Sequence, residues 1–153
     1  MEKEVTTTMV REFISTVFVV DKGKVLMTWN LKVNNWVPIG GHIDSNQLPC
    51  ESVIREANEE SNLDIEIHSN PNITKSIVNL PQPFNVHLDH VKEDHKHINL
   101  TYFATIKKGS GECFEIDDEG KPLKWFSRED LNQDDSLIPA IKEWALEALD
   151  ELE

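Results

Sequence analysis

A single α/β domain, with a mixed β-sheet held between helices, is the fold this sequence predicts. Three observations point there. Short runs of β-branched and aromatic residues recur along the chain, bounded by turn-forming residues. Two other stretches, one opening near Pro49 and one at the C-terminal end, repeat their apolar residues at helical spacing. A chain of 153 residues, 39% hydrophobic and 28% charged, suits one domain around a single core. No repeat and no linker rich in Pro, Gly or Ser divides it, so residues 1–153 read as one domain with 1–9 a loose end.

Phe13 to Val20 is β-branched and aromatic and reads as a strand. Asp21-Lys22-Gly23 is a turn signal, and Lys24 to Trp29 is its hairpin partner. Asn30 to Asn35 is polar and reads as a loop. Trp36 to Ile39 is a short strand that delivers a tight turn at Gly40-Gly41. Pro49 suits the first position of a helix. Cys50, Val53, Ile54, Ala57 and Ser61 then recur on the face that packs on the sheet. Asn62 follows where a left-handed residue ends a helix, and Asn46 sits at a similar place in the preceding loop.

Leu63 to Ile67 alternates and reads as a strand, Pro71 to Lys75 as a loop and Ser76 to Leu80 as a strand. Val86 to Val91 and Ile98 to Ile106 are strands joined by a charged turn, Lys92 to Lys96. Gly111 to Pro122 is an acidic loop. Leu123 to Phe126 is a strand, with Ser127 capping a short helical turn. The last helix starts at about Ser136 and lines up Leu137, Ile141, Trp144, Ala145 and Ala148.

The chemistry concentrates in Gly40 to Leu63. Positions 56, 59 and 60 share a helix face, because residues three and four apart are neighbours. Three crowded carboxylates repel, and a hard divalent ion such as Mg²⁺ or Mn²⁺ between them removes the conflict. Taken alone, Glu56, Glu59 and Glu60 would also fit an ordinary solvated face.

The stretch resembles the Nudix box, whose pattern is Gly, five residues, Glu, seven residues, then Arg-Glu-apolar-x-Glu-Glu-x-Gly-apolar. It maps onto Gly41, Gln47, Arg55, Glu56, Ala57, Glu59, Glu60, Asn62 and Leu63. Gln47 stands for the first Glu and Asn62 for the last Gly. Trp36-Val37-Pro38-Ile39-Gly40-Gly41 is similar to the family's Trp-x-x-Pro-Gly-Gly approach, with the Pro one position early. Lys124 to Leu131 is similar to its later strand-to-helix segment.

The resemblance implies a Nudix α/β/α sandwich and a metal-dependent hydrolase. It would cleave a phosphoanhydride in a nucleoside diphosphate linked to another group. It implies metal binding by Gly41, Glu56, Glu59 and Glu60, with Mg²⁺ as cofactor and Mn²⁺ as substitute. The same glutamates and Arg55 carry catalysis, Arg55 by aligning a box glutamate. Gln47 carries no charge and accepts no proton at neutral pH, so one metal contact weakens. That departure motivates the alternative of a Nudix-fold module that binds a nucleotide or sugar phosphate without cleaving it. Glu51, four residues before Arg55, is placed for a helical ion pair with it. In some family members a later loop supplies a carboxylate, and Glu115, Asp117, Asp118 and Glu119 are candidates by type.

Trp36 is a candidate for stacking on a nucleobase, and equally for core packing. His42 lies beside the box glycine as a candidate phosphate contact, and Gln47 as a further substrate contact. His95 and His97 share one side of a strand, with His87 and His90 nearby, but no third fixed ligand is evident in sequence, which favours surface or pocket histidines over a zinc site.

A net charge of −13 argues against a nucleic-acid polymer as partner, since phosphate backbones are bound through Lys and Arg. A small phosphorylated substrate of nucleotide type remains compatible, because a metal-loaded site is locally positive. No apolar run reaches the roughly 20 residues needed to span a bilayer. The start has no signal-peptide layout, and Cys50 and Cys113 form no disulfide framework, so the expected location is the cytoplasm, as monomer or homodimer.

Overall fold

The computed structural model describes residues 8–69 and 79–152. Its elements run β1 (Val10–Asp21), β2 (Lys24–Asn30), β3 (Asn35–Val37), β4 (Ile39–His42), α1 (Pro49–Ser61) and β5 (Ile65–His68). Then follow β6 (Asn85–Lys92), β7 (His95–Ile106), β8 (Leu123–Ser127), α2 (Arg128–Gln133) and α3 (Pro139–Leu152).

The strands form one mixed sheet with the central order β3-β2-β1-β7-β5, to which β4 adds on β1, β6 on β7 and β8 on β2. β1 and β7 run parallel and the other pairings are antiparallel. Alternation along β1 sends Val17 and Val19 to one side, against Val53 and Ala57 of α1. It sends Phe18 and Val20 to the other, against Leu131 of α2 and Leu137, Ala145, Ala148 and Leu149 after it. The result is the α/β/α layering expected.

Lys22 and Gly23 both take positive φ, which suits the tight β1–β2 hairpin. Asn62 and Asn46 are left-handed, at φ 67° and 65°. Asparagine tolerates that region because its short side chain hydrogen-bonds locally. Ser127 caps α2, its hydroxyl accepting from the Asp130 N–H at 3.1 Å.

Several expectations change. The expected strand Trp36 to Ile39 is two strands separated by Pro38, which cannot donate to a ladder. Gly40 and Gly41 are not a turn but part of β4, paired with Thr16 and Ser15 of β1. The turn placed at Lys92 to Lys96 is shorter, because β6 extends through Lys92 and β7 begins at His95. Alternating polar residues there pair as well as apolar ones, since the ladder is made by backbone. The last helix begins at Pro139 rather than Ser136, with proline at its first position. Ile54 is 41% exposed, one residue round the helix from the buried Val53. The loop Pro71 to Lys75 and residues 76–78 of the expected strand Ser76 to Leu80 lie outside the described residues, and Asn79 and Leu80 are not in a strand.

Candidate active site

The site forms where α1 crosses β4. Gly40 has φ +152°, and a Cβ there would sit 2.1 Å from the Ser15 carbonyl oxygen. Only glycine lets β4 lie this close to β1. At Gly41 a Cβ would meet the end of the Glu56 side chain, 2.8 Å from Oε1. The bare Gly41 backbone is therefore what the Glu56 carboxyl packs against.

Glu56 and Glu60 are hydrogen-bonded to each other, and the Gly40 N–H donates to Glu60. Burial, the neighbouring Glu56 charge and that shared hydrogen bond push Glu60 up to about 9, with Asp117 adding to the effect. At neutral pH and without a cation, the pair holds one proton. Two carboxyls so placed against bare backbone are a donor set of hard oxygens, which fits Mg²⁺ or Mn²⁺.

Arg55 organises the rest. Its Nη1 lies 3.2 Å from Glu56 Oε1 and donates to both Glu59 oxygens, at 3.2 and 3.1 Å. Its Nε and Nη2 both donate to Gln47 Oε1 at 3.2 Å. Nη2 also reaches Asp44 Oδ2 at 3.2 Å. The guanidinium thus fixes four side chains in one fork, a geometry lysine cannot copy. Glu59 is drawn to Arg55 as an (i, i+4) pair, while Glu56 and Glu60 face each other.

Gln47 keeps the steric and hydrogen-bonding role of a carboxylate oxygen toward Arg55 while lacking the charge. Glu51 does not pair with Arg55. It accepts from the Leu48 N–H at 3.1 Å and closes the first turn of α1, where that orphan donor needs a partner. The acid that does meet Arg55, Asp44, escaped sequence reading because nothing local distinguishes it from a solvated loop residue.

Of the candidate acids Glu115, Asp117, Asp118 and Glu119 in the loop before β8, Asp117 is the one felt by Glu60. Its Oδ1 accepts from the Glu119 and Lys121 N–H groups at 2.9 and 2.8 Å, which curls the loop. Its Oδ2 accepts from the Thr28 hydroxyl at 3.5 Å, tying the loop to β2. Lys121 also feels Glu60 and Asp117.

Trp36 stacks edge-on with Trp29 and Phe126, both at 5.4 Å, and packs on the core near α3. Trp125 and Trp144 also pack on core clusters. His42 points to the other face of β4 from the carboxyl pair, with Nε2 3.0 Å from Glu12 Oε2.

The NUDIX domain family matches residues 10–149. No curated protein matches the chain. Among solved structures, the chain is similar to a NUDIX-family hydrolase from Clostridium perfringens, with 34% identity and a TM-score of 0.79, over 95% of this chain and 100% of that one. It also shares its fold with a MutT NUDIX hydrolase from Burkholderia pseudomallei, at 17% identity and a TM-score of 0.64, over 94% of this chain and 99% of that one.

Proposed function

The chain belongs to the Nudix hydrolase family, and on that premise we propose that it is a divalent-metal-dependent pyrophosphohydrolase. Its substrate class is a nucleoside diphosphate linked to another group. Water attacks one phosphorus of the anhydride, and the products are a nucleoside monophosphate and the other phosphorylated half. The observation that carries this reading is the Glu56–Glu60 carboxyl pair, partly buried against the Gly40–Gly41 backbone, whose mutual repulsion a bound cation would relieve.

Glu56, Glu60 and the Gly41 backbone, joined by Glu59, would hold Mg²⁺ or Mn²⁺. Such an ion neutralises phosphate oxygens and acidifies bound water. Arg55 keeps Glu56 and Glu59 aligned and offsets their repulsion. Once the pair has given up its proton, Glu60, which the Gly40 N–H contacts, would be placed to serve as the base. Asp117 adds a further carboxylate on the loop side. Two free thiols suit a reducing compartment, and the cytoplasm is the location this reading favours.

The test is a panel of nucleoside triphosphates, nucleotide sugars and dinucleotides with Mg²⁺ or Mn²⁺, scored for phosphorylated products. Turnover on at least one class, lost in Glu60→Gln and in Glu59→Gln with the fold intact, is the expected result. Tight binding without product across the panel would instead favour the non-cleaving module that Gln47 suggests.

A further inference from the structure

A second cluster of ligating side chains lies one residue from Gly41 on the opposite face of β4. Glu12 of β1, His42 of β4 and His97 of β7 each offer a ligand atom, and these atoms all lie within 4.8 Å of one another. Among the described residues this is the group of three or more so gathered. The strand registers explain it. Glu12 is paired with His97, Val10 with His95, and Ile14 with both Asn99 and His42. Positions two apart share a face, so Glu12, His42, His95 and His97 project to the same side of three adjoining strands.

The cluster is not satisfied by its own contacts. His97 Nε2 is buried and has no hydrogen-bond partner. His95 Nε2 lies 2.6 Å from the second Glu12 oxygen, off the line that a hydrogen bond needs. The three imidazoles meet edge to face, with His42 and His95 each 5.0 Å from His97. Burial and the two neighbouring imidazoles hold His97 below its ordinary range, which keeps it in the neutral form that binds metals. Asp89 on β6, opposite His97, is held in place by His87 at 2.9 Å and by the Asn99 amide at 2.9 Å.

We propose that Glu12, His42 and His97 form a binding site for a borderline transition-metal ion of the Zn²⁺ class, with His95 at its edge. Imidazole nitrogen with one carboxylate selects such ions and disfavours Mg²⁺, which takes oxygen ligands. Three protein ligands leave one tetrahedral position for water or an incoming anion. The site is separate from the box carboxylates, since β4 turns Gly41 toward Glu56 and His42 away from it. It ties together β1, β4 and β7 at one end of the sheet.

The test is calorimetric titration of metal-stripped full-length protein with ZnCl₂, in excess Mg²⁺ so that the box carboxylates are occupied. One Zn²⁺ per chain is expected, with a rise in melting temperature. His97→Ala and Glu12→Gln should each weaken binding by more than about 100-fold, the upper reach of an outer-shell loss. His42→Ala, at an exposed position, should do the same without loss of fold. Glu56→Gln and Cys113→Ser should bind Zn²⁺ as the wild type does. X-ray absorption should show only nitrogen and oxygen neighbours. Absence of stoichiometric binding, wild-type binding in His97→Ala and His42→Ala, or loss confined to Cys113→Ser would overturn the site.

Discussion

Replacing each of the two adjacent glycines with alanine should separate architecture from chemistry. At Gly40 the added Cβ would lie 2.1 Å from the Ser15 oxygen and 2.7 Å from the Thr16 Cα, both backbone atoms of β1. Neither can move without opening the β1–β4 ladder, and φ of +152° strains any residue with a Cβ. Overpacking costs about 1–3 kcal/mol and unfavourable backbone conformation a similar amount, so Gly40→Ala should lose about 4 kcal/mol. For a domain of this size that is a drop of roughly 12 °C in melting temperature.

At Gly41 the Cβ would meet only the carboxyl end of Glu56, at 2.8–2.9 Å from its nearest atoms, and that end can swing away. The stability cost should stay under about 1.5 kcal/mol. Displacing Glu56 breaks its hydrogen bond to Glu60, and misplacing a catalytic group by about 1 Å can cost about 100-fold in rate. Thermal denaturation followed by circular dichroism, together with turnover on the substrate class the panel identifies, measures both quantities. A Gly40→Ala protein melting within a degree or two of wild type would refute the β4 geometry. A Gly41→Ala protein with full turnover would refute the placement of Glu56 in the site.

The remaining predictions are shorter. The folded metal-free chain retains the Glu60 proton up to about 9, whereas the unfolded chain loses it near 4.5, so this group makes stability fall as pH rises through that window. Urea denaturation in the presence of a chelator should show Glu60→Gln gaining on wild type from pH 5 to pH 8.5; a constant gap would reject the shared proton. Arg55→Lys should lose at least about tenfold in turnover at a stability cost below about 1 kcal/mol, because a point charge cannot hold Gln47, Asp44, Glu56 and Glu59 together. Equal rates for Arg55→Lys and wild type would remove its aligning role. Gln47→Glu should strengthen Mn²⁺ binding by about 3- to 10-fold, the difference between a neutral and a charge-assisted partner; titration monitored by electron paramagnetic resonance would reveal it, and unchanged affinity would place Gln47 outside the metal's reach.

Local pattern carried much of the fold. The hairpin at Lys22-Gly23, the helix from Pro49, its left-handed end at Asn62 and the Ser127 cap each depend on a few consecutive residues, and each formed where those residues indicated. Failures came where a distant partner decided. Gly40 and Gly41 looked like a turn because a Gly-Gly pair usually marks one, but β1 recruited them into the sheet. His95 lengthened a strand that its own polarity would have ended, because β1 and β6 supplied ladders on both sides. Glu51 found an orphan amide closer than Arg55.

By itself the sequence determined the spacing that sets Arg55, Glu56, Glu59 and Glu60 on adjoining faces of one helix and places two glycines before it, because helical periodicity and glycine's missing Cβ are local properties. Only the tertiary structure decided which acid of the later loop comes near Glu60, which acid joins Arg55, and that Glu12 meets His97 across a parallel pairing of β1 with β7. Those meetings depend on strand register between segments some eighty residues apart in the chain, where a slip of one residue would turn every side chain to the other face.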